Sequence, residues 1–338
     1  MTPAIFGLAG PAMTDDERAF FRDADPAGYI LFARNVENRA QLRALTDDLR
    51  AIRGRERLLI SIDQEGGRVA RMRPPEWDKY PAGEAFAKLW QVAPASAIEA
   101  ARANAEALGL DLADAGITVD YWPVLDVRRP YSHDVVGDRA LGSEPMQIAA
   151  LGRAILDGLG RAGVVGCIKH MPGHGRARVD SHKEMPVIEA SEAELETDIE
   201  PFRTLADAPI GMTAHVRYTA WDAENPATQS AFVVNEIIRK RIGFTGLLLS
   251  DDVYMGALTG TLPERGAKAL TAGCDVVLNC HGEVPDMAAV AQGLPAMPTD
   301  AKARLDTALA TTGGETAGDH TALIAKRDAL LELARDLA

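Results

Sequence analysis

Short apolar runs alternate with longer stretches of helical periodicity along almost the whole chain. The runs are AIFGLAG (4–10), GYILFA (28–33), LLISID (58–63), ITVDYWPVLDV (117–127), VVGCIKH (164–170), IGMTAHV (210–216), GLLLSDDV (246–253) and DVVLNC (275–280). Each is short, nearly continuous in apolar residues and bounded by turn formers, as a strand buried on both faces must be. Amphipathic stretches lie between them, clearest at 97–115, 145–162, 191–206 and 262–272, and several open with Ser, Asp or Pro, the residues that start helices. Strand and helix alternating eight times predict an α/β protein built as a single (β/α)8 TIM barrel rather than a doubly wound sheet. From about Pro295 the pattern changes. An Ala-, Thr- and Gly-rich linker at 308–318 leads to a helix through Leu337. The expected division is therefore a catalytic barrel over 1–295 and a C-terminal linker and helical extension over 296–338, packed on the barrel's side without chemistry.

Composition narrows the function classes. The 338 residues fit one barrel with an appendage, since such folds run to about 250 residues and beyond. A formal net charge of -13 argues against nucleic acid as a partner. Cys167, Cys274 and Cys280 are odd in number and form no CxxC pair, so they read as reduced core thiols of a cytoplasmic protein. The start, MTPAIFGLAGPAMTDDE, has no basic region followed by an apolar one, and no apolar stretch reaches the ~18 residues needed to span a bilayer. Neither export nor a membrane is expected.

Ionisable residues gather at predicted strand ends: Asp63, Lys169 with His170, His215 and Asp251. Active sites of such barrels lie on the face formed by those ends. The richest stretch is KHMPGHGRARVDSH, 169–182, which holds three of the seven His. Pro172, Gly173 and Gly175 turn it into a loop, and Asp180 is close enough to His182 to hold an imidazole proton and fix its tautomer. Surface loops also place His beside Asp without function, and His174, between glycines, reads as a loop-shaping residue. In SDD (250–252) two adjacent acids on an extended chain point to opposite sides, so one carboxylate faces the barrel axis. A helix N-cap is a real competitor for Asp252, less so for Asp251. In IDQEGGRVARMR (62–73), Glu65, Arg68 and Arg71 read as a salt-bridged support. Arg139, in GDRALG, offers a guanidinium fork, with a surface ion pair to Asp138 or Glu144 as its structural alternative. Metal is not expected, because the Pro and Gly of HMPGH preclude the helix of an HExxH site and no third ligand follows. GHGRARVD lacks the GK[ST] of a phosphate cradle, and no cofactor is called for.

Taken together, IDQEGGRVARMR, GDRALG, KHMPGHGRARVDSH and LLLSDDVYMGAL followed by AGCDVVL resemble the family 3 glycoside hydrolases, over about 4–295. More narrowly they resemble the cytoplasmic β-N-acetylglucosaminidases of bacterial peptidoglycan recycling. The resemblance implies a retaining β-N-acetylhexosaminidase that removes non-reducing N-acetylglucosamine from peptidoglycan fragments through a glycosyl-aspartate. It makes Asp251 the nucleophile and His182 the general acid/base with Asp180 its partner, and assigns Asp63, Arg139, Lys169 and His170 to the sugar hydroxyls. It implies a loop that swings in when substrate binds, and a monomer whose partner is a small amino-sugar or muropeptide. Met171 stands where the family usually has Phe, and YMGAL where SMEGA is common; both bear on substrate preference. Arg176 and Arg178 read as solvated loop charges, with a muropeptide carboxylate as the other reading. Three competing functions stay open: a phosphorylase of the same family, substrate-assisted hydrolysis in which Asp251 and Asp252 only orient the acetamido group, and a barrel that binds N-acetylglucosamine without turnover.

Overall fold

The computed structural model describes residues 1–313 and 318–336. Among the described residues ten strands form: β1 (Thr2–Gly7), β2 (Pro26–Leu31), β3 (Leu59–Ile62), β4 (Val119–Asp120), β5 (Val165–Met171), β6 (Val187–Ile188), β7 (Ile210–Thr213), β8 (Arg217–Tyr218), β9 (Leu247–Asp252) and β10 (Val276–Asn279). Eight of them close into a parallel barrel in the order β1-β10-β9-β7-β5-β4-β3-β2, while β6 and β8 pair outside it. Each predicted apolar run supplies one barrel strand. The run 117–127 is the one that shrinks most, to the two residues of β4. Pro123 has no N–H to give a ladder, although the chain keeps company with β5 through the Leu125 amide on the Lys169 carbonyl, 2.8 Å.

The barrel strands read as continuous apolar runs because both their faces are buried. Ile5, Ile30, Leu59, Val119, Cys167, Leu247 and Leu249 point inward and fill the barrel. Ala4, Phe6, Ile168 and Leu248 point outward against the helices. The helical layer includes Pro94–Asp114, Pro145–Arg161, Glu192–Thr204 and Leu262–Ala272, close to the predicted spans. Ser191 caps the third of these through a reciprocal bond with Glu194.

The tail differs from expectation. A helix, Thr299–Leu309, runs two residues into the predicted linker, and its Leu305, Ala308 and Leu309 join the cluster inside the barrel. An Ala- and Thr-rich composition reads as a linker, but three apolar side chains at helical spacing close the barrel's lower end, and burial overrides composition. The last helix, His320–Asp336, lies against Pro94–Asp114, with Arg327 donating to Asn104 at 3.3 Å. Residues 314–317 of the linker and Leu337 lie outside the described residues. No described helix is long and apolar enough to cross a membrane.

Candidate active site

A cavity of about 330 Å³ opens at the C-terminal ends of the barrel strands, lined by Asp63, Arg139, Lys169, His170, His182 and Asp251 among others. A larger hollow, about 740 Å³, lies on the outer surface beside Trp90, Met146 and Leu205. Volume alone selects the wrong one. A concentration of buried charges with mutual partners marks the strand-end cavity as the place for chemistry.

Its floor is an ionic network. Lys169, 2% exposed at its side chain, places Nζ 2.9 Å from Asp63 and 2.7 Å from Glu65. Arg139 donates from Nε and from a terminal nitrogen to the two oxygens of Glu65, both at 2.7 Å. Arg71 reaches the other oxygen of Asp63 at 3.3 Å. Burial disfavours every one of these charges, yet the partners prevail. Burial against the Arg139 and Lys169 cations leaves Glu65 far below the ordinary carboxylate range. Burial against Asp63 and Glu65 leaves Lys169 more firmly protonated than usual. Asp63 is likewise lowered, chiefly by Lys169 after burial is overcome. Asp63, Glu65, Arg139 and Lys169 are thus all charged at neutral pH, two cations against two anions, with the Arg71 guanidinium bonded to Asp63 beside them. Only three of the five Arg139 N–H groups are used, the third on the Val135 carbonyl at 3.0 Å, so two remain for a ligand. Its partner is Glu65 and not the predicted surface acids Asp138 or Glu144. Arg68 is the residue that meets Asp138, at 2.7 Å and half exposed. The expected support is real for Glu65 and Arg71, while Arg68 stands apart from it.

Two histidines reach the cavity, each oriented by an aspartate. His170 Nδ1 lies 2.7 Å from Asp126, which also accepts the His174 amide at 2.6 Å. Against its own burial, the His170 charge and these bonds bring Asp126 down to about 2. An ionised carboxylate there requires a proton on Nδ1, and Nε2 is left for a ligand. His182 Nδ1 lies 2.8 Å from Asp180, which also accepts the His182 amide at 3.0 Å. Asp180 is lowered too, its slight burial outweighed by those two bonds.

The loop that carries Asp180 and His182 is held at several points. Gly175 packs where any Cβ would lie 1.9 Å from the Val127 carbonyl. His174 places Nε2 3.2 Å from the Ser181 hydroxyl, and burial lowers this imidazole to about 4, so it is neutral. The amides of Gly256 and Ala257 donate to the carbonyls of His182 and Ser181, at 3.1 and 3.2 Å. The loop's far end becomes β6, fixed on β8. Arg176 is not a solvated charge. It is bonded to the buried Asp198 and to the Glu194 carbonyl, whereas Arg178 stacks 4.7 Å over Tyr131.

Asp251 is the next-to-last residue of β9 and lies on the cavity wall. Burial raises its carboxyl, but the nearby His215 and His170 rings and the Asp252 amide bring it below the ordinary value, so it is an anion. Asp252 is raised, by burial first. It caps a turn and not a helix, accepting the Tyr254 amide at 3.1 Å and the Cys280 amide at 3.2 Å. Cys280 is not a core thiol: it is only half buried and lines the cavity, although burial keeps it protonated. His215 sits under this wall, bonded to Thr228 and to the Asp252 carbonyl.

Asp63, Arg139, Lys169 and His170, together with the sequence-predicted pair His182 and Asp251, therefore line one cavity, with Asp180 bonded to His182 Nδ1. Sequence reasoning missed Asp126 and Asp120. Both lay inside the apolar run 117–127, and an acid in a buried strand was itself the signal, since it needs a partner. Asp120 finds one in the Gln64 amide, 3.0 Å. Among the described residues no group of three or more His, Cys, Asp or Glu is arranged to hold a metal ion.

Residues 4–309 match the family model of the glycosyl hydrolase family 3 N-terminal domain. A beta-hexosaminidase of Bordetella avium is 40% identical over 291 residues, 85% of this chain and 82% of that protein. The crystal structure of native NagZ from Neisseria gonorrhoeae superposes with a TM-score of 0.85 at 31% identity, covering 100% of this chain and 98% of that one. The same protein in complex with N-trifluoroacetyl-D-glucosamine gives 0.84.

Proposed function

The chain belongs to glycosyl hydrolase family 3, and from that premise we propose that it is a retaining exo-β-N-acetylglucosaminidase that frees terminal N-acetylglucosamine from peptidoglycan fragments. A glycoside hydrolase of the β-hexosaminidase type is the coarse assignment; the linkage, the mechanism and the residue roles are the proposal. One observation carries it: a carboxylate held ionised, Asp251, and an imidazole free at Nε2, His182, line the same cavity above a fixed ionic floor.

The floor residues Asp63, Arg139, Lys169 and His170 take the sugar hydroxyls. Asp63 accepts, Lys169 and Arg139 donate, and His170 offers Nε2. With the ring fixed, Asp251 attacks the anomeric carbon as the bond to the leaving oxygen breaks, and His182 Nε2–H gives that oxygen its proton. The glycosyl-Asp251 ester is then opened by water, whose proton returns to His182. Asp180 keeps the Nδ1–H in place and offsets the imidazolium charge, as an aspartate does for a catalytic histidine elsewhere. An imidazole donor starts charged and ends neutral, which suits a wall that already carries the Asp251 anion.

In this reading residues 1–295 perform catalysis and 296–338 support the barrel. The protein works as a cytoplasmic monomer in cell-wall recycling, with a disaccharide of N-acetylglucosamine and 1,6-anhydro-N-acetylmuramic acid, with or without peptide, as substrate. The family resemblance and the likeness to the Neisseria enzyme support that choice. The test is hydrolysis of a chromogenic β-N-acetylglucosaminide with and without phosphate, by the protein and by Asp251→Ala. Phosphate-independent release, lost in the variant, is expected. Sugar 1-phosphate as product would make the chain a phosphorylase, and sugar binding without release would make it a binding barrel.

A further inference from the structure

Beyond the nucleophile, β9 leads into a turn whose construction nothing in the reaction so far explains. The Asp252 carboxylate accepts the amides of both Tyr254 and Cys280, which ties the ends of β9 and β10 together. The Arg265 guanidinium then donates to the carbonyls of Val253, Tyr254 and Met255 in succession, at 3.0, 3.3 and 3.2 Å. Three carbonyls on one cation make a fixed turn. On this frame the Tyr254 ring stacks on His281, centroids 3.5 Å apart and planes inclined by 21°. His281 belongs to the lining of the catalytic cavity, while Tyr254 is 39% exposed, one of the few large side chains left open to solvent. A stacked pair of rings held this firmly at a cavity mouth is a surface prepared for contact.

Its position indicates which contact. The cavity, about 330 Å³, is at the small end of ligand sites, which run from about 300 to 1,000 Å³. The terminal sugar takes it, so the second ring of a disaccharide has to lie at the mouth. The turn that carries Tyr254 at one end meets the acid/base loop at the other, through the Gly256 amide on the His182 carbonyl at 3.1 Å. A Cβ on Gly256 would fall 2.9 Å from that oxygen and 2.7 Å from the Lys183 carbonyl, so a glycine permits the approach. His281 and His182 belong to the same lining, so the ring pair borders the cavity in which the leaving oxygen must be protonated.

We propose that the stacked Tyr254 and His281 rings form the leaving-group subsite, a wall against which the apolar face of the departing pyranose lies, with Asp252 and Arg265 holding it in place. This inference rests on the glycosidase reading and specifies its second subsite. Asp252 acquires a role distinct from its neighbour's: it positions the rings and does not touch the reacting atoms. Residues 252–256 then set what the enzyme accepts beyond the scissile bond.

The experiment compares two substrates that share the terminal sugar and whose leaving oxygens both need a proton: the β-1,4-linked disaccharide of N-acetylglucosamine, whose leaving group is a pyranose, and methyl β-N-acetylglucosaminide, whose leaving group carries no ring. The ratio of kcat/KM for disaccharide over methyl glycoside is measured in the full-length protein, Tyr254→Ala, Tyr254→Phe and His281→Ala. Loss of a stacked ring is expected to lower the ratio about tenfold in Tyr254→Ala and His281→Ala, and Tyr254→Phe to hold it within about twofold. A ratio unchanged in the two alanine variants overturns the subsite, whether or not the individual rates fall, because a purely structural role would affect both substrates alike. Failure of the unsubstituted protein to hydrolyse either substrate overturns the glycosidase reading, and the subsite with it.

Discussion

The cavity holds the same chemical pair twice. His170 with Asp126 and His182 with Asp180 each join Nδ1 to a carboxylate oxygen, at 2.7 and 2.8 Å. Their surroundings differ. The first pair is sealed into the barrel, with side chains 11% and 0% exposed, while the second stands on a loop at 62% and 20%. A buried pair is costly to disturb and therefore suits a task that needs one fixed geometry, holding a hydroxyl. An exposed imidazole is open to proton exchange with water, which suits a group that is to act first as acid and then as base. In the proposed mechanism identical bonds serve position in one place and proton transfer in the other. The surroundings decide which.

The difference can be broken from either side. Replacing His182 by Ala is expected to cost the most, on the order of 10³ in kcat for substrates with poor leaving groups. A fluoride leaving group, which needs no proton, should suffer far less, and thermal melting should stay put; comparison of the two rates and of Tm checks both. Asp126→Asn attacks the buried pair instead. It removes the charge that the His170 ring, its amide and the His174 amide all meet, and stability should fall by about 2–3 kcal/mol by denaturant titration. Activity should fall with it, through KM as well as kcat, because the hydroxyl contact is lost.

Acid sharpens the contrast. Asp126 is held at about 2 in the folded protein, against an ordinary value near 4. A depressed carboxyl contributes stability that is present above its unfolded value and lost as pH falls through the folded one. The protein should therefore lose roughly 2 kcal/mol between about pH 4 and pH 2 on account of this group alone. Asp126→Asn should show a flatter acid limb, measured as stability against pH. The smallest effect is expected from Ser181→Ala, which removes one neutral hydrogen bond, 3.2 Å from His174. Stability should change by at most ~1 kcal/mol, while a lower kcat with unchanged KM would show that this bond positions His182.

The same contrast explains what the sequence revealed. All eight barrel strands were legible, because a strand buried on both faces leaves an unbroken apolar run and few other structures do. The polar residues at their ends were legible for the same reason, since Asp63, Lys169 and Asp251 interrupt such runs. The loop pair was found from Asp180 and His182 standing two apart. Asp126 was not found, because its partner His170 lies 44 positions away and only the closed barrel brings them together. Glu65 and Arg139 are separated by 74 positions, and Arg139 was accordingly matched with its chain neighbours. The tail helix Thr299–Leu309 is not legible in the sequence, since its few apolar residues gain meaning only from the open barrel end they cover.

The central claim is that Asp251 forms a bond to the sugar while His182 moves the proton. A 5-fluoro-N-acetylglucosaminyl fluoride, which slows the opening of a glycosyl ester more than its formation, tests it directly by peptide mass spectrometry. One sugar attached to the peptide that contains Asp251, and to no other peptide, is expected. An unlabelled protein that still turns over substrate, or a label on another residue, would contradict it.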